Sequence, residues 1–333
     1  MNAIGGADYG WMKPSPHNPI VACLAVLVTY AVVSTSSAQG ATQVESLVAA
    51  TPAAAYDGTA MWSRLDAATG KYQLVQSLDG GAPTPVAVAQ RDGAFDVDLG
   101  SSRSGSTYAV YSRDGDIYRL NPRSAVEQRL AHLSAPDRAE RNPTIQGGRI
   151  AFVRRDGGMD QLRIGTATVT SRAKGTRLLL RRTHIQGVEL GSKHVAWVDS
   201  VMGRVSGRQR VHVRNVATGK ERLVYQAGGG GASFTEVSKP SFSADGSSFL
   251  WAVARQGVTG SRIVKYTLGT GELSYARGTP RYASVAWVND ELGAIVSTSL
   301  VADPNGGAGD CLDAGVQYCS IQYTGPTSFD LKP

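Results

Sequence analysis

Three constellations in this chain have residue types and spacing that could do chemistry. Asp96 and Asp98 alternate along a strand-like segment, Phe95-Asp96-Val97-Asp98-Leu99, so their carboxylates share one face. Carboxylates that converge in a pocket can divide general acid and general base work; along an open strand they are a solvated face, and that is the expectation here. The run Asp303-Pro304-Asn305-Gly306-Gly307-Ala308-Gly309-Asp310 sets oxygen donors at Asp303, Asn305 and Asp310 among glycines, like the beginning of a calcium loop. It lacks the Glu that completes an EF-hand, so a surface loop is the plainer expectation and calcium the alternative. Finally, Arg172, Lys174, Arg177, Arg181 and Arg182 crowd one segment, with Arg154, Arg155, Arg204, Arg208 and Arg210 on either side. This cluster is either a solvated face or a basic patch for an anionic partner such as a cell-wall polymer or lipid headgroup.

Other chemistries lack their residues. His17, His132, His184, His194 and His212 are scattered, with no His-x-x-x-His or His-Glu pairing, and isolated histidines are usually surface or satisfied core residues. No Gly-x-Ser-x-Gly elbow is present, which removes the α/β-hydrolase form of a serine nucleophile. Gly228 to Gly231 are followed by no Lys-Ser or Lys-Thr, so they are a loop, not a phosphate cradle. No catalytic residue and no cofactor are expected from these patterns.

The N-terminus bears on the compartment. Lys13 precedes Ile20 to Val33, apolar except for Thr29, and a small polar stretch from Ser34 to Ala41 follows. That order is a secretory signal peptide, with cleavage after Ala38 or, second, after Gly40. The alternative is an uncleaved anchor, although the run is short for a span of about 20 residues. Cys23 opens the apolar run, whereas a lipidated cysteine would follow it. Residues 1–38 are thus read as leader, 39–52 as a linker or ring-closing strand, and 53–333 as one domain. Beyond the leader no stretch approaches membrane-spanning length. Two cysteines remain, Cys311 and Cys319; in an oxidising compartment they would pair and fasten a C-terminal hairpin. Export argues against nucleic acid, and aromatic residues are not interleaved with the basic ones as a stacking platform requires.

The elements that would position these residues repeat. Trp62, Tyr111, Phe152, Trp197, Trp251 and Trp287 each sit in an apolar run, at intervals of 49, 41, 45, 54 and 36 residues. The mean is 45, about one four-stranded propeller blade. Around each anchor lie a preceding short strand, a turn such as Asp114-Gly115 or Asp245-Gly246, and a second alternating strand. Asp-Gly and Thr-Gly between short β-rich runs are hairpin signals. Only Arg123 to Arg141 reads as a helical candidate. With 39 glycines, 18% charged residues and a formal charge of +7, the chain is expected to be all-β. Small meanders cannot bury their own faces, so the fold predicted is a β-propeller, most simply of six blades of four-stranded antiparallel sheets. Val44 to Ala50 is the candidate closing strand.

One copy carries a family signature. Pro240, Ser243-Ala244-Asp245-Gly246, Phe249-Leu250-Trp251 and Thr270-Gly271 resemble the TolB-like (WD40-like, PD40) β-propeller repeat, with Ala244 where that repeat usually has Pro. The other copies keep the apolar anchor and the outer strand. The periplasmic family member TolB has an α/β domain before its propeller, whereas the first anchor here comes soon after the leader. The resemblance implies a propeller and the general role of a protein-binding scaffold, and it does not extend to the Tol–Pal partnership.

The function expected is a secreted or envelope-associated binding scaffold without catalysis, its partner a protein or an anionic envelope polymer. The alternative is a propeller enzyme acting on a carbohydrate or peptide at the central channel. Converging carboxylates and histidines at the channel mouth would favour the enzyme; an apolar or merely basic mouth would favour the scaffold.

Overall fold

The computed structural model describes residues 41–168, 175–202, 207–228, 235–255, 261–278, 281–289, 294–300, 312–313, 316–317 and 319–324. The leader, Arg172, Lys174, the Asp303–Asp310 run with its three candidate ligands, and Cys311 lie outside these residues. All the described strands belong to the compact unit spanning residues 37–333.

Short strands and tight turns build antiparallel sheets in chain order. Sheet 1 pairs Ala53–Tyr56, Thr59–Asp66, Lys71–Leu78 and Thr84–Pro85. Sheet 2 has Asp98–Ser101, Thr107–Arg113, Asp116–Leu120 and Glu127–Arg129. Sheet 3 has Glu140–Gln146, Arg149–Asp156, Met159–Thr166 and Arg177–Arg182, and sheet 4 has Ile185–Leu190, His194–Met202, Gly207–Asn215 and Glu221–Ala227. Sheet 5 has Ser248–Arg255, Ser261–Thr267 and Leu273–Gly278, with both Thr235–Val237 and Ser241–Phe242 on the free side of Ser248–Arg255. Sheet 6 runs Arg281–Asn289, Ala294–Leu300, Cys319–Thr324 and finally Ala41–Leu47. Asp114 and Gly115 show why the turns fall where they do. Both have positive φ, +54° and +80°, the pair of conformations that a two-residue hairpin needs to match strand twist.

The architecture is an all-β propeller of four-stranded antiparallel sheets. Side chains alternate across each strand, so every second strand faces two neighbours. Phe152 and Ile145 pack with Val110, Ile117 and Leu130 of the preceding sheet and linker, while Ala151 and Val153 beside Phe152 pack with Val188, Val195 and Trp197 of the next. Met61 and Trp62 divide in the same way between the clusters of sheets 1 and 2 and of sheets 6 and 1. Trp62, Trp197 and Trp251 are fully buried between sheets.

The repeat also appears as hydrogen bonds between neighbouring sheets. Asn142 N donates to Asp96 at an offset of 46 residues and Ile145 N to Asp98 at 47. Leu190 N donates to Thr144 Oγ1 and Trp287 N to Ser241 Oγ, both at 46. A small polar side chain on one inner strand thus satisfies a backbone donor of the next sheet, which would otherwise be buried without a partner.

Two expectations need correction. The first five anchors lie on the second strand of their sheets, but Trp287 lies on the innermost strand of sheet 6, Arg281–Asn289. Its short interval of 36 residues is this displacement inward by one strand. The helical candidate 123–141 contains instead the strand Glu127–Arg129 and turns leading into Glu140–Gln146. Leu130 and Leu133 are buried there, but Val126 is 65% exposed, so no continuous apolar stripe exists to seat a helix.

The terminal strand Ala41–Leu47 pairs antiparallel with Cys319–Thr324, three residues earlier than the expected Val44–Ala50. Its Glu45 accepts a hydrogen bond from Trp62 Nε1 at 2.6 Å and pairs with Arg64, both of sheet 1. Glu45→Ala leaves the buried indole donor without its partner and should destabilise the fold by about 1–3 kcal/mol. Urea unfolding measures this, and an unchanged midpoint would show that Glu45 contributes nothing to the junction.

Candidate functional site

The inner sides of sheets 1 to 6 converge on one cavity of about 160 Å³. Sheets 6 and 1 contribute small and apolar residues, Pro52 to Ala55 and Ser284 to Ala286, and sheets 2 to 5 contribute Asp96, Asp98, Asn142, Gln186, Glu189, Lys239 and Ser241. The cavity therefore has one apolar wall and one polar wall.

A break in a strand delivers the central cation. The inner strand of sheet 5 is interrupted between Val237 and Ser241, where Pro240 lacks the N–H that a ladder needs. Ser238 patches the gap: its N–H donates to Ala252 O, and its Oγ accepts from Ala252 N, each at 2.9 Å. Lys239 is thereby turned toward the axis, and Gly187 makes room, since a Cβ there would stand 3.0 Å from Lys239 Cα. The Lys239 ammonium pairs with Asp98 Oδ1 of sheet 2 and, at 3.0 Å, with Glu189 Oε2 of sheet 4.

Each carboxylate has further partners. Asp98 Oδ2 accepts from Ile145 N at 3.0 Å. Thr144 Oγ1 donates to Glu189 Oε2 at 3.4 Å. Asp96 accepts from Ser112 N at 2.8 Å, Ser112 Oγ at 2.6 Å and Asn142 N at 2.7 Å, and so holds Asn142 at a φ of +49°. Burial pushes the Glu189 carboxyl well above the usual carboxylate range, and the neighbouring Asp98 pushes it further, against the pull of Lys239. Burial works against the charge on Lys239, but Asp98 and Glu189 outweigh it and raise its pKa.

Asp96 and Asp98 therefore do share a site, but not as a solvated strand face: Asp98 is 3% exposed. Ring closure, invisible along the chain, turns the inner strands toward one another. Glu189, Lys239, Asn142 and Gln186 are absent from the sequence-derived candidates. The available signal was a charged residue on an otherwise apolar inner strand, as in Gly187-Val188-Glu189-Leu190.

Three residues of the basic cluster's central segment are described. Arg177, Arg181 and Arg182 lie on the outer strand of sheet 3. Arg177 donates to Val216 O at 3.1 Å, and Arg182 pairs with Glu221 at 2.5 Å and Asp199 at 3.5 Å. Asp199 also meets Arg210 at 3.1 Å and His212 Nε2 at 3.2 Å, and His212 stacks on Trp197 with centroids 5.0 Å apart. The described histidines stay apart: His132 bonds Thr166 O, His184 lies 3.7 Å from Asp160, and none lines the channel. Cys319 is buried beside Leu47 and Trp62. Among the described residues, no group of three or more His, Cys, Asp or Glu is arranged to hold a metal ion.

No protein-family model and no curated protein sequence matches the chain. Solved structures do. An oligogalacturonate lyase in complex with manganese aligns with a TM-score of 0.54 and 11% identity, over 86% of this chain and 93% of its own. Regucalcin, a calcium-binding protein from Agrobacterium tumefaciens, gives 0.53 and 14% over 88% and 96%. TolB from Acinetobacter baumannii gives 0.51 and 11% over 83% of this chain, which spans 65% of the TolB chain. At these identities the likeness is one of fold, and a propeller hosts many functions.

The raised Glu189 carboxyl sets a pH dependence. Because Glu189 holds its proton more tightly folded than unfolded, its contribution is fully present below the ordinary value of 4.5. That contribution is lost as pH rises toward the raised folded value. Glu189→Gln, which cannot ionise, should gain stability relative to the parent as pH climbs from 4 to 8. Urea midpoints across that range test it; a difference independent of pH would mean that Glu189 titrates normally.

Proposed function

We propose that the chain is an exported six-bladed, TolB-like propeller that holds a partner at its channel mouth without transforming it. Taking the divided inner strand of sheet 5 as one strand makes every sheet four-stranded and the blade count six. The observation that carries the binding role is the channel cavity, whose ionised groups are already committed to the protein. Asp96 receives three donors, and Asp98 receives Lys239 and Ile145 N. A general base needs a lone pair free to reach a substrate proton, whereas a rigid, pre-formed pocket suits recognition.

The leader pattern supports export, with cleavage after Ala38 and a Cys311–Cys319 disulfide in an oxidising compartment. The TolB and lyase likenesses are equally compatible with an envelope scaffold and an exported enzyme. The partner is a protein or an anionic envelope polymer, whose charges would meet arginines such as Arg177 and Arg181 on the outer strand of sheet 3. Manganese and calcium appear with two of the structural relatives, but in this channel the cation between the carboxylates is the Lys239 ammonium. The residues there do not fit a metal. A calcium role rests instead on Asp303, Asn305 and Asp310.

One observation favours the enzyme reading: Glu189, whose carboxyl burial pushes up, and Asp98 meet on the same Lys239 ammonium, so two carboxyl groups converge in the channel as acid catalysis requires. Affinity capture from the native envelope separates the two. The intact chain should retain a component that Gln186→Trp, which plugs the exposed side of the cavity, no longer retains, and the component should elute unchanged. Equal retention by both proteins would remove the channel from the binding role. Cleavage of the component that is lost in Glu189→Gln would establish the enzyme.

A further inference from the structure

We propose that the channel cavity takes a neutral, hydroxyl-bearing six-membered ring, one pyranose residue of an envelope glycan. This deepens the binding role above and rests on it. The first ground is which groups have capacity to spare. Lys239, Asp98 and Glu189 form a closed cluster across the axis, and Asp96 is filled by Ser112 and Asn142. A charged ligand would have to break these pairs, leaving a buried charge uncompensated.

The groups left open on the polar wall are neutral. Asn142 Nδ2 donates to Gln186 O at 3.0 Å, and its carbonyl oxygen makes no hydrogen bond among the described residues. The Gln186 carboxamide is exposed and likewise makes none among the described residues. A carboxamide both donates and accepts, as a hydroxyl does. Carboxamides on two neighbouring sheets of the same cavity therefore match the hydroxyl edge of a sugar.

Size and shape agree with that edge. An apolar cavity near 150 Å³ takes a bare six-membered ring such as benzene; this one is about 160 Å³ and has the exposed Gln186 in its lining, which leaves the ring's substituents room toward solvent. The wall opposite the carboxamides is made of Pro52, Ala54, Ala55, Val285 and Ala286, an apolar surface suited to the C–H face of the same ring. No aromatic side chain lines the cavity, so a flat ring that relies on stacking finds no platform. Asp96 and Asp98 together outnumber the single Lys239, and an acidic ring would be repelled.

Titration of the intact chain by calorimetry, with and without EDTA, tests the proposal. The probes are the methyl pyranosides of glucose, galactose, mannose and N-acetylglucosamine, with galacturonate as the acidic ring. At least one pyranoside should bind, galacturonate should bind at least tenfold more weakly, and EDTA should change neither. Gln186→Ala should weaken the pyranoside about tenfold, the scale of one hydrogen bond lost to a ligand, with the unfolding midpoint of the free protein unchanged. No binding by any of the four pyranosides would overturn the proposal. So would galacturonate binding as tightly as the best of them, loss of binding in EDTA, or an affinity indifferent to Gln186→Ala. Failure here alongside channel-dependent capture of an envelope component would condemn the sugar and leave the binding role intact.

Discussion

Each sheet in this protein is apolar on both faces, and that constraint governs the rest. A sheet whose second strand buries Phe152 on one side and Ala151 and Val153 on the other must have a neighbour on each side. A row of such sheets would end in two exposed apolar faces, so the row bends into a ring. The last junction is made by chain segments far apart in sequence: Leu47, Cys319 and Ile321 pack against Ala55, Trp62 and Ala286. Burying one tryptophan removes roughly 150–250 Å² from water. At about 25 cal/mol per Å², each anchor such as Trp62 contributes on the order of several kcal/mol to its seam.

Closure has a chemical consequence at the axis. The inner strands approach one another there, and their free edges present backbone donors with little access to water. Asp96, Asp98, Thr144 and Ser241 answer those donors from the adjoining sheet. Charges brought in for this purpose need a counter-charge, and Lys239 supplies it from across the channel. Its reach to Asp98 joins positions 141 residues apart. The polar groups nearest the axis are therefore structural first, and the capacity left for a ligand lies in Asn142 and Gln186.

Several arginines pair with buried carboxylates where sheets meet. Between sheets 3 and 4, Arg182, Arg210 and His212 close on Asp199, and Arg141 and Arg155 close on Asp160. Burial works to raise the Asp160 carboxyl, but the Ile185 N–H and these two guanidinium groups hold it below its ordinary value. Arginines that look like a patch along the chain are thus partly the lining of a seam, with their charge spent inside the protein.

The all-β class, the period near 45 residues, the hairpin turns and the first five aromatic anchors were legible in the sequence, because they depend on local alternation and on turn residues such as Asp114-Gly115. That Asp96 and Asp98 share a site was legible too, but not the burial of Asp98, nor that Asp96 lies just before the strand Asp98–Ser101. Which residues share the channel was decided only by the tertiary structure. Lys239, Glu189 and Asn142 come from three different sheets, and no spacing along the chain encodes their meeting. The inward shift of Trp287 has the same origin, since sheet 6 draws its outermost strand, Ala41–Leu47, from the other end of the chain. Alternation and turn chemistry act between near neighbours in sequence, whereas the channel exists only once the sheets have closed on one another.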